Sequence, residues 1–210
     1  MIVVPLADVL SPGNFKSISD CLRNDGVIAY PTDTLYGLGG NFFSAAAMAK
    51  VDAMKKRGDL PYSVAVADLA MLESLVAEVP DVFRTRLKKL LPGKFTFLFK
   101  PAPAIDPLLI KNSDRIGIRI PGLPPLLKMI SALGFPLVST SANLSGRPPL
   151  NDPRRIAREF PQLDLLIDGG ALPPSLGSTL VDIVVVPPRI VRRGADLQKI
   201  LSILGQKPPE

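Results

Sequence analysis

Residues 26–40 read GVIAYPTDTLYGLGG. The first five form an unbroken apolar run with no polar alternation, the pattern of a strand buried on both faces. The chemistry then changes abruptly. Residues 30–40 hold two tyrosines, two threonines, an aspartate and three glycines. Glycines let backbone approach a ligand, hydroxyls offer hydrogen bonds, and Asp33 adds a carboxylate. Read alone, the stretch is equally a tight turn closed by local hydroxyl-to-backbone bonds. A second apolar run ends the same way, in PLVSTSANLSG at 136–146, with Ser139, Thr140, Ser141, Asn143 and Ser145. Two core strands that run out into small polar residues point to an open α/β sheet, whose ligands gather beyond strand carboxyl ends.

Working outward, strand-like runs occur at 2–6, 26–30, 62–67, 95–99, 116–120, 136–139, 163–167, 179–185 and 189–191. Helical patterns alternate with them at 11–26, 44–57, 82–91, 125–133, 153–160 and 196–204. No composition break or linker run divides them, so residues 1–210 read as a single α/β domain. The 23 prolines cluster at element ends, and the tail GQKPPE is expected to fray.

Composition removes whole classes of chemistry. The chain has no histidine and one cysteine, Cys21. That leaves no Ser-His-Asp or Cys-His nucleophile, no zinc site and no internal disulfide. Cys21 falls on the inner face of the 11–26 helix. The N-terminus carries no basic leader, and no apolar run reaches a bilayer's width, so a cytoplasmic protein without a membrane anchor is expected. Twenty-five basic against 19 acidic residues give a net charge of +6, which favours polyanions, nucleotides and nucleic acids among them.

Three further stretches carry charge or hydroxyls. In MKKRGDLP (54–61), Lys55 and Arg57 stand two apart at a helix end, where they either clamp a polyphosphate or face solvent. In RIGIRIPG (115–122), alternation puts Gly117 and Arg119 on the face opposite the isoleucines, at a solvent edge or in an anion-binding cleft. GSTLVDI (177–183) and RIVRRG (189–194) contribute Ser178, Thr179, Asp182, Arg192 and Arg193. Neither GxGxxG, nor a phosphate-binding GxxxxGK[ST], nor GxSxG is present around the glycine and serine loops.

Together, in this order, YPTDTLYGLGG, K-x-R, LLPGKFTFLFK, IGIRIP, STSANLSG, GSTLVDI and IVRRG resemble the Sua5/YrdC/YciO family over roughly residues 17–194. The resemblance implies a twisted open mixed sheet with flanking helices around a concave basic cavity. It implies a threonylcarbamoyl-AMP synthase, condensing L-threonine, bicarbonate and ATP with release of pyrophosphate, magnesium accompanying the nucleotide. A transferase complex would then pass the group to adenosine 37 of tRNA. The rival expectation is a module binding tRNA or double-stranded RNA without that chemistry.

Carried over by position, Thr32, Thr34, Tyr36, Arg119 and Ser178 would meet threonine. Lys55, Arg57, Ser139, Ser141, Asn143 and Arg192 would meet the nucleotide. Lys55, Arg57 and Arg119 would serve catalysis, with no metal held by the protein itself. Two departures stand out. KKRGDLPYSV is one residue shorter than the family's usual stretch, and Ala65 stands where a histidine is common beside the pocket.

Overall fold

The structure is a computed structural model and describes residues 1–56 and 61–206. Among these, the strands are β1 (Ile2–Pro5), β2 (Ile28–Pro31), β3 (Tyr36–Gly39), β4 (Ser63–Ala65) and β5 (Phe95–Phe99), then β6 (Ile116–Arg119), β7 (Leu137–Ser141), β8 (Leu165–Asp168), β9 (Thr179–Asp182) and β10 (Arg189–Arg192). They form one sheet in the order β1-β8-β2-β3-β7-β4-β6-β5-β9-β10. Its pairings are mixed: β1–β8, β8–β2, β4–β6 and β5–β9 are parallel, and the rest antiparallel. The helices are α1 (Pro12–Arg23), α2 (Ala45–Lys55), α3 (Leu69–Glu73), α4 (Asp81–Leu90), α5 (Pro124–Leu133), α6 (Pro153–Glu159) and α7 (Leu197–Leu204).

Side-chain alternation sends the strands' two faces into two apolar clusters. Leu38, Val64, Phe95, Phe97, Ile118, Val138 and Val181 pack on one face with α2, α4, α6 and α7. On the other, Val4, Ile28, Tyr30, Ala65, Leu137 and Leu165 pack under α1 and α5. Phe83, Leu87 and Leu90 form the buried stripe of α4, and its basic residues point outward. Cys21 is half-buried against the second cluster, and burial pushes its thiol up to about 11.

The sequence reading missed β3. Residues 36–39 (YGLG) look like loop, because glycine packs nothing and weakens a strand. Here they pair with β2 through Ile28↔Gly39 and Pro31↔Tyr36, and with β7 through Gly37↔Ser141. The glycine at 39 is demanded by packing, since a Cβ there would overlap the Val138 carbonyl. The short α3 was also missed; it is held by an Asp68 N-cap accepting from the Met71 N–H.

Candidate active site

Strand alternation also builds a cavity. On the second face, α1 and α5 cover one end of the strands, and the rest is left open above small residues. Ser63 pairs with Ser139 on β7 and with Gly117 on β6, so three adjacent strands present almost no bulk. Gly117 leaves this space open: a Cβ there would stand 3.3 Å from Leu98 and in ordinary contact with Thr96 and Ser63. The resulting cavity is about 370 Å³, inside the size range of small-molecule sites.

Eight of the expected residues line it: Thr32, Thr34, Tyr36, Arg119, Ser139, Ser141, Ser178 and Arg192. They come from the β2–β3 turn, β3, β6, β7, the approach to β9, and β10. Thr32 organises the turn, its Oγ accepting from the Thr34 and Leu35 N–H groups and donating to the Leu35 carbonyl at 2.7 Å. Tyr36 is fully buried, its hydroxyl accepting from the Gly169 N–H and donating to the Gly170 carbonyl, both at 2.9 Å. Burial raises its phenol to about 12, so it acts as a neutral donor and acceptor.

Arg119 sits in the cleft, and its side chain is 8% exposed. Its Nη2 donates to Asp33 Oδ1 at 2.5 Å and to Thr34 Oγ1 at 3.2 Å. Of the two settings the sequence leaves open for Arg119, a solvent edge or a cleft, the structure has the cleft, and there the chain itself supplies an anion in Asp33. Burial disfavours the charged guanidinium, and Asp33 opposes that cost. Arg192 donates to the Ser178 carbonyl at 3.0 Å and to its hydroxyl at 3.2 Å, and Ser178 Oγ lies 2.7 Å from Thr96 Oγ1. Partial burial and then repulsion from Arg119 disfavour the Arg192 charge. With Asp33 balancing Arg119, the described walls carry a net charge near one positive unit. The cleft is basic, but modestly so.

The expected nucleotide residues divide. Lys55 is 1% exposed and does not line the cavity. Its ammonium donates to the Ser141 carbonyl and to the Asn143 carbonyl (2.8 Å) and Oδ1 (3.0 Å), pinning the loop after β7. Asn143 is spent on that loop too, donating to the Leu144 carbonyl and accepting from Ser141 Oγ at 2.6 Å. It lines a neighbouring depression with Arg147 and Arg155 instead. Arg57 and the shortened loop at 58–60 lie outside the described residues, as does the end of the tail at 207–210.

Ala65 also departs from expectation. It lies on the cavity's face of the sheet but is fully buried, paired with Leu137 and Arg119 and part of the apolar cluster that includes Tyr30, Leu126 and Met129. It is core, not an open wall. Sequence reasoning missed Tyr62, which lines the cavity while its hydroxyl donates to Asp52, itself paired with Lys111. Lys111 lies 49 residues beyond Tyr62 and reads as ordinary surface, so no local signal could have joined them. Among the described residues, no three histidine, cysteine or acidic side chains group as metal ligands.

Comparison with known proteins gives a consistent picture. The sequence model of the Sua5/YciO/YrdC family, described as "Telomere recombination", matches residues 20–194. The threonylcarbamoyl-AMP synthase of Bacillus subtilis is 31% identical over 188 residues, covering 88% of this chain and 54% of its own. The crystal structure of Pyrococcus abyssi Sua5 complexed with L-threonine superposes with a TM-score of 0.88 at 27% identity, over 98% of this chain and 61% of that one. Escherichia coli YciO superposes with a TM-score of 0.80 at 29% identity, over 92% and 94%. This chain thus spans just over half the length of the Bacillus relative and about three fifths of the Pyrococcus one.

Proposed function

Because the chain belongs to the Sua5/YciO/YrdC family, we propose that it condenses L-threonine, bicarbonate and ATP into threonylcarbamoyl-AMP and pyrophosphate, for modification of tRNA adenosine 37. The observation that carries this reading is the convergence of Thr34, Arg119, Ser139, Ser178 and Arg192 on one cavity, in a fold shared with a threonine-bound relative. The uncharged threonine amine first bonds to the bicarbonate carbon as one C–O bond breaks, leaving a carbamate and releasing water. Its oxygen then bonds to the α-phosphorus as the bond to the β-phosphate oxygen breaks, and pyrophosphate leaves with the electron pair.

Such a displacement needs alignment and charge balance rather than a covalent nucleophile, which fits a chain without histidine. Arg119 would face the threonine carboxylate and Thr34 its polar groups. Ser139 in β7 and Ser141 at its end, where Lys55 pins the chain, would face phosphates, with Arg192 neutralising charge. Arg57 completes the phosphate contacts in this reading. Magnesium would arrive with ATP and be held by its phosphates. A threonylcarbamoyl-transferase complex would take the product. Among the described residues no helix is long and apolar enough to cross a membrane, in keeping with a cytoplasmic role.

The test is pyrophosphate release from ATP. Release is expected only with threonine and bicarbonate both present; release indifferent to either would reject the assignment. A second reading, an RNA-binding module without adenylate chemistry, draws on Arg147, Arg154, Arg155 and Arg158. All four are exposed, and none forms an ion pair with a described residue. It predicts salt-sensitive RNA binding together with no threonine-dependent release.

A further inference from the structure

Asp33 has no assigned role, yet its carboxylate is fixed on both oxygens. Oδ1 accepts from Arg119 and Oδ2 from the Gly122 N–H at 2.9 Å, and its side chain is 8% exposed. The contact joins distant parts of the sheet. Asp33 lies in the turn between β2 and β3, whereas Arg119 ends β6, with β7 and β4 between β3 and β6. Three strand spacings of about 4.8 Å separate β3 from β6 in a flat sheet. The contact therefore requires the sheet to curl or the turn to lean over the cavity, and it ties the two sides of the mouth together. Gly122 permits this, since a Cβ there would stand 3.2 Å from Asp33 Oδ2.

The donors of Arg119 show what the contact does. Both Nη2 hydrogens are taken, by Asp33 and Thr34. Nε is buried without an acceptor among the described residues. Nη1 has no hydrogen bond to a described residue and is not fully buried, so it is the donor the cavity can reach. A carboxylate prefers two adjacent guanidinium donors, and every adjacent pair in this side chain includes Nη2. An incoming carboxylate must share the fork with Asp33 or displace it.

We infer that Asp33 is the internal counter-anion of Arg119, competing with the substrate carboxylate for the guanidinium fork while it aims Nη1 into the cavity. The physical rationale has two parts. A buried guanidinium without a counter-ion is costly, so a carboxylate must accompany it whether or not substrate is bound. Competition also weakens ground-state binding, and the fixed orientation is retained for the step in which charge moves. Asp33 is thus a positioning residue. It does not line the cavity itself and acts on substrate through Arg119.

The inference rests on L-threonine being the substrate. Calorimetry should compare L-threonine with threonine amide, which lacks the carboxylate, on wild type and Asp33→Asn. The variant is expected to bind L-threonine about tenfold more tightly, as removal of a competing close charge implies. It should bind the amide unchanged, and kcat for pyrophosphate release should fall while KM for threonine also falls. A merely structural role would lower stability without tightening binding, so unchanged or weaker threonine binding by folded Asp33→Asn overturns the inference.

A stability cycle with Arg119→Gln needs no substrate. The double variant is expected to be more stable than Asp33→Asn alone, because it no longer buries an unpaired cation; simple additivity of the two substitutions would overturn the counter-anion role. Wild type that fails to bind threonine would sink the substrate assignment instead, and the cycle would still decide the pairing.

Discussion

Lys55 carries its charge into the interior, not into the cavity. Its ammonium meets three oxygens of the loop at Ser141–Asn143, two of them backbone carbonyls. Lys55→Met keeps the stem and strips those carbonyls of their donor, so urea unfolding should show a loss of about 2–3 kcal/mol. ATP affinity should fall in step with the loosened loop. Full stability with lost ATP affinity would instead make Lys55 a direct phosphate ligand. Ala65 yields the opposite of what its place in the motif suggests. With no exposed surface and a place in the cluster that holds Tyr30, Leu126 and Met129, Ala65→His should overpack the core. A cost of about 1–3 kcal/mol with no gain in threonine-dependent turnover is expected, read from the melting midpoint and pyrophosphate release. A stable, faster variant would show that position 65 reaches substrate.

At the scale of elements, β3 is the piece on which the site depends. It carries Tyr36 and Gly37 to the cavity wall and joins β2 to β7, yet its sequence is half glycine. The two glycines have different duties. A side chain on Gly39 would collide with backbone at Val138, which cannot move without breaking the β3–β7 pairing. On Gly37 it would first meet the Tyr30 side chain, at 3.1 Å. Gly39→Ala should therefore abolish cooperative folding, or cost at least about 3 kcal/mol as a buried overpacking with backbone strain. Gly37→Ala should fold, lose less stability and narrow the cavity floor. Circular dichroism through thermal unfolding of both variants checks the order; equal stability would mean the sheet adjusts at Val138.

At the scale of the whole molecule, the buried tyrosines set an alkaline limit. Tyr30 is fully buried, donates to the Val138 carbonyl at 2.9 Å, and burial moves its phenol from about 10 to about 12. A raised value means that the folded state holds the proton more tightly. Its stabilising share is therefore complete below pH 10 and is lost as pH rises from about 10 to about 12, roughly 2–3 kcal/mol for a shift of that size. Tyr30→Phe should flatten that part of the stability profile in denaturant titrations between pH 9 and pH 12, and an unchanged slope would place the alkaline limit elsewhere. What the sequence determined by itself was local. Apolar runs marked nine of the ten strands, proline and glycine marked helix ends, and hydroxyl-rich exits marked two strand ends, because each of these signals is written within a few residues. The motif order carried the family and most cavity residues. Only the tertiary structure decided which way charged side chains turn. Lys55 turns inward because two loop carbonyls 86 and 88 residues away need a donor. Arg119 is partnered because the fold brings Asp33, in the β2–β3 turn, across two intervening strands. Ala65 is core because it falls within the apolar cluster that α1 and α5 share with the sheet. Pairings of this kind depend on how the sheet bends and what covers it, and no local spacing in the chain encodes either.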